Sequence, residues 1–122
     1  MVPLVMLSLT LATHMPTQSP TVPAPAQREV CTRGVAAFYP MSRGFTPRAV
    51  VAIKDGGLVK VRFTYTFTTA RRQLSGMAEC FFMAKGKSIS ATTNHVEMTS
   101  NGATEIITKR KDLDCFNAGK YC

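Results

Sequence analysis

The sequence predicts an α+β domain: an antiparallel β-meander of about four strands, with an N-terminal helix and a C-terminal helix packed on one sheet face, stabilised by disulfides. Three observations carry this. Leu58–Thr68 reads L-V-K-V-R-F-T-Y-T-F-T, an uninterrupted alternation of apolar and polar residues. Turn signals recur on both sides of it, at Asp55-Gly56-Gly57, Lys85-Gly86-Lys87 and Asn101-Gly102. Apolar residues at helical spacing occur before the first turn and after the last. A period of two in β-branched and aromatic residues marks a strand with one packed and one wet face, which is the habit of antiparallel sheets.

In chain order, residues 1–26 read as a signal peptide or disordered leader, and residues 27–122 as a single small domain. Val2–Ala12 is an uncharged apolar run too short to cross a bilayer as a helix. A Pro/Thr/Ser/Gln/Ala segment, His14–Gln27, follows and reads as unstructured. Small residues at Ala12, Ala24 and Ala26 offer cleavage positions, although no Lys or Arg precedes the apolar run and Pro25 sits awkwardly in the last of them. A packed apolar N-terminal element is the competing reading. No cysteine lies near residue 20, so a lipid-anchored form is not expected.

Arg28–Tyr39 is read as a short helix with Val30, Cys31, Val35 and Phe38 on one face, weakened by Gly34 and closed by Pro40. Pro47 limits the start of the first strand, Arg48–Lys54. Asp55-Gly56-Gly57 is a hairpin turn into Leu58–Thr68. Val59, Val61, Phe63, Tyr65 and Phe67 then form the inward row, while Lys60, Arg62, Thr64, Thr66 and Thr68 face water. A basic connection leads to a third strand, Gly76–Ala84, with Ala78, Cys80 and Phe82 inward. That phase leaves Phe81 and Met83 on the wet side. Ser88–Thr99 alternates poorly and reads as an edge strand. Ala103–Phe116 fits either a helix, through Ile106, Ile107, Arg110, Leu113 and Phe116, or a strand over Thr104–Thr108.

The four cysteines, Cys31, Cys80, Cys115 and Cys122, all fall in the presumed mature part. An even number in a small exported domain implies disulfides. Cys31–Cys80 with Cys115–Cys122 is the preferred pairing among three. There is no C-x2-C pair and His95 stands alone, so no metal or other cofactor is expected.

The formal net charge is +8, and none of the charged residues precedes Arg28. Lys60, Arg62, Arg71, Arg72, Lys85, Lys87, Lys109, Arg110 and Lys111 are the candidate contact residues for an acidic protein, an anionic cell surface or nucleic acid. The sequence contains no nucleotide fingerprint, phosphate loop, EF-hand loop or nucleophile-elbow motif. His95 with Glu97 two residues on is the one acid–base pair that a phosphodiester hydrolase could use. The expectation is a secreted or periplasmic, monomeric, non-enzymatic binding or accessory domain that does not span the membrane. A secreted nucleic-acid or polyanion binder is the alternative, and the hydrolase is third.

Overall fold

In the computed structural model, residues 19–85 and 88–122 are described, except for the side chains of residues 84, 85, 88 and 89. The elements run α1 (Pro25–Ala37), β1 (Arg43–Asp55), β2 (Leu58–Thr69), β3 (Arg72–Lys85), β4 (Ser88–Ser100), β5 (Ala103–Ile107) and α2 (Arg110–Asn117). The strands form one five-stranded sheet in the order β1-β2-β3-β4-β5, antiparallel throughout. Both helices lie on one sheet face and pack on each other there. The α+β meander is therefore as the sequence reads, with a fifth strand added. The ambiguous segment after Asn101-Gly102 holds both alternatives in succession, a short strand and then a helix.

The inward row of β2 lies in the core: Val59, Val61, Phe63, Tyr65 and Phe67 are all buried. Ala78, Cys80 and Phe82 of β3 join them, with Val96 and Met98 of β4, Cys31 and Val35 of α1, and Leu113 and Phe116 of α2. The disulfides are Cys31–Cys80, joining α1 to β3 inside the core, and Cys115–Cys122, closing the chain back onto α2. No helix among the described residues is long and apolar enough to cross a membrane.

Several boundaries differ from the sequence reading. Helix α1 starts at Pro25, ahead of the expected Arg28. The fixed φ of proline suits a first helical turn, where its missing N–H has no intrahelical role. Upstream of it, Thr21 forms a bridge to Ala52 through two backbone hydrogen bonds of 2.9 and 2.8 Å. Residues 21–27 are thus part of the fold, although they read as unstructured. The leader residues 1–18 lie outside the described residues.

Strand β1 starts at Arg43 and passes through Pro47, ahead of the expected start at Arg48. It is the outermost strand, where a missing N–H is tolerated. It carries a register shift between Arg48 and Val51, with Ala49 at φ 54°. Ser88–Thr99 is an edge only over its first half, because β5 pairs with Val96–Ser100. Its poor alternation has a local cause. Phe81 pairs with His95 but Phe82 pairs with Thr93, so Asn94 is an extra, unpaired residue. That bulge puts Thr93 and Val96 on the same buried side.

Candidate functional site

The face of the sheet turned away from the helices has nothing packed on it among the described residues. Its composition follows from register. Lys60 pairs with Phe81, which pairs with His95, and Arg62 pairs with Glu79, which pairs with Glu97. Val51 of β1 flanks Arg62 on one side, and Ile106 of β5 flanks Glu97 on the other. Ile53 lies beside Lys60, and Met77 lies across from Thr64. Side chains directly opposite on antiparallel strands stand close enough to interact. These do.

Arg62 Nε donates to Glu79 Oε2 at 2.7 Å, and Lys60 Nζ lies 4.0 Å from the same oxygen. The Lys60 ammonium also sits 5.7 Å from the centre of the Phe81 ring. His95 meets Phe81 edge-on at 4.8 Å, and its Nε2 lies 2.8 Å from Glu97 Oε2. The result is one connected layer of two cations, two carboxylates, an imidazole and an aromatic ring. Partly or well exposed apolar side chains surround it: Met77 at 41 %, Met83 at 45 % and Ile106 at 58 %. Phe81 and Met83 stand on the wet side as the strand phase requires. Phe81 is half-buried there because lysine and histidine cover its face and edge.

The sequence-derived basic residues divide among separate places. Lys60 and Arg62 share the layer just described and are partnered by Glu79. Arg71 and Arg72 are exposed at the β2–β3 turn, the sheet end that also holds Arg43 opposite Thr68. Lys109, Arg110 and Lys111 are exposed at the start of α2, which follows the short β5. These last two groups make no ion pair among the described residues. Lys87 lies outside the described residues, and only the backbone of Lys85, the last residue of β3, lies within them.

A second concavity, of about 680 Å³, opens between the start of β4 and α2. Ser90, Thr92, Asn94, Thr108, Arg110 and Asp114 contribute its polar lining. It is closed on one side by a contact that sequence reading missed. The Asn117 side chain accepts from the Thr93 N–H at 2.9 Å and donates to the Thr93 carbonyl at 3.0 Å. An amide side chain thereby takes the place of a neighbouring strand where β5 has already ended. Gln27 of α1 does the same for the Ser90 carbonyl, at 3.2 Å. Beyond the end of β5, the backbone groups of Thr93 and the carbonyl of Ser90 are thus bonded from within the chain.

Among the described residues no group of three or more His, Cys, Asp or Glu side chains could hold a metal ion. No family model matches the chain, and searches among curated proteins and among solved structures return no significant match.

Proposed function

We propose that this chain is a small exported binding or accessory domain whose contact surface is the helix-free face of the sheet. The observation that carries the reading is that face itself. It sets exposed Met77, Met83 and Ile106 around a pre-assembled charged layer. Apolar side chains clustered about fixed polar groups are what a protein contact surface requires. Two disulfides fit a domain working in an oxidising compartment, either secreted or periplasmic. A processing cut ahead of Thr21 would keep the bridge to Ala52 and the proline-initiated helix intact.

The test is hydroxyl-radical footprinting of Met77, Met83 and Phe81. The chain in the fluid to which it is exported is compared with the dilute purified chain. Protection of these three in the native fluid, with Met41 equally reactive in both, is the expected result. Equal reactivity of the face in both samples overturns the reading.

A second reading, polyanion binding, is favoured by the exposed cations at Arg71–Arg72 and Lys109–Lys111, which make no ion pair among the described residues. Lys60 and Arg62 contribute less to it than the sequence suggests, because Glu79 already holds them. Retention on heparin should fall steeply as salt rises. Arg71→Glu/Arg72→Glu and Lys109→Glu/Lys111→Glu should each lower the eluting salt, and Arg62→Gln should leave it nearly unchanged. Catalysis by His95 is the third reading. RNA left intact by the wild-type chain excludes it, as does cleavage that survives His95→Ala.

A further inference from the structure

Resting on the sheet-face reading, we propose that the occupant of that face is a second copy of this chain, docked face to face about a two-fold axis running along β3. The inference comes from charge and register. The whole chain carries +8, a surplus that would suit a polyanion. The layer on this face does not share that surplus: Lys60 and Arg62 are matched by Glu79 and Glu97. Arg48, opposite Thr64, and Arg43, opposite Thr68, stand only at its β1 margin, with Asp55, opposite Leu58, toward the other end. A polyanion would therefore bind elsewhere, and a balanced face calls for a balanced partner.

The arrangement is also complementary to itself. The cations lie on β2 and the second carboxylate lies on β4, with β3 between them. An axis along β3 sets β2 of one copy over β4 of the other, and β1 over β5. A two-fold contact joins one patch to its own copy, so each such pairing occurs twice.

Keeping the register, Arg62 of one copy meets Glu97 of the other and Val51 meets Ile106. Phe81 meets Phe81 and Met77 meets Met77. Lys60 faces His95, whose ring is already bound to Glu97. The two Glu79 carboxylates approach each other at the axis, each held by its own Arg62 at 2.7 Å. Sheets stacked in this way run nearly aligned, about 10 Å apart. The three central strands, spaced about 4.8 Å apart and sharing about ten residues of ladder, together with the shorter overlap of β1 with the five-residue β5, present on the order of 600–700 Å² per copy. That is close to the roughly 800 Å² per partner of a standard stable interface.

The test is sedimentation of the purified, disulfide-intact chain from micromolar to millimolar concentration at physiological salt, where its net charge is screened over about 8 Å. A reversible monomer–dimer equilibrium is expected. Arg62→Glu and Glu97→Arg should each weaken self-association at least about tenfold. Mixing the two variants should restore it, because both inter-copy pairs are then opposite in sign. Restoration also shows that both variants are folded. Footprinting of Met77 and Met83 should show protection that grows with the chain's own concentration. Wild-type chain that stays monomeric with both methionines open overturns the proposal, as does a dimer that neither reversal weakens. Protection in native fluid without self-association rejects the second copy and retains the sheet face as a contact surface. Absence of both rejects the two together.

Discussion

Tyr65 is the residue on which the core closes at one end of the sheet. It is fully buried, and its hydroxyl shares a 2.7 Å hydrogen bond with that of Tyr39. Its ring crosses Gly76 on the neighbouring strand. A Cβ at Gly76 would stand 2.5 Å from the Tyr65 hydroxyl, so only glycine fits there. Tyr39→Phe leaves that hydroxyl buried without its partner and should cost about 1–3 kcal/mol in denaturant unfolding. Tyr39→Phe/Tyr65→Phe should cost less than the two single losses added together. Burial, and then the Tyr39 contact, push the Tyr65 phenol far above its ordinary range near 10. The folded state therefore keeps a proton that the unfolded chain loses above about pH 10. This part of the stability is complete below pH ~10 and falls above it, by at most about 1.4 kcal/mol per pH unit. Chemical denaturation between neutral and strongly alkaline pH should show that decline, and Tyr65→Phe should flatten it.

At the level of elements, one interlock holds the two helices together and another holds α2 to the sheet. Gly34 in mid-helix lets the Phe116 ring lie on α1, and an added Cβ would fall 2.5 Å from that ring. Gly34→Ala gains about 1 kcal/mol in helix propensity. The overpacking costs about 1–3 kcal/mol. Net destabilisation is expected, relieved by Phe116→Leu, as a double-mutant cycle in urea would read. Asn117→Ala removes both bonds to Thr93, and the amide exchange of Thr93 should quicken while that of Val61 does not. Much of this architecture was legible beforehand. The two-faced character of β2 and the inward phase of β3 follow from composition alone, because one strand carries the whole pattern. The paired amides of Asn117 and Thr93 were not legible, since they meet across 24 residues and no local period reports them. The charged layer was half legible. Lys60 and Arg62 could be placed on the wet face, but their partner Glu79 becomes visible only once the register is known. Gly34 reads as a flaw in a helix until the ring that needs the space is seen.

On the scale of the whole molecule, the two disulfides differ in access. Cys31 and Cys80 are completely buried, whereas Cys122 is exposed. A thiol must reach a sulfur to open the bond. Mild reductant under native conditions should therefore open Cys115–Cys122 alone, giving two alkylatable thiols by mass spectrometry and full alkylation only after unfolding. Phe63→Ala, at the centre of the buried row, should cost about 3–5 kcal/mol in thermal or urea unfolding. The inner disulfide has a further consequence. It joins α1 to β3 across the exposed β1–β2 turn at Asp55–Gly57. A protease that severs that turn leaves two fragments which Cys31–Cys80 still binds together, each keeping its strand in the sheet. Clipped protein would run as intact chain on a non-reducing gel and fall into two bands once thiol is added. Damage at this exposed hairpin would thus be carried by a molecule that remains in one piece.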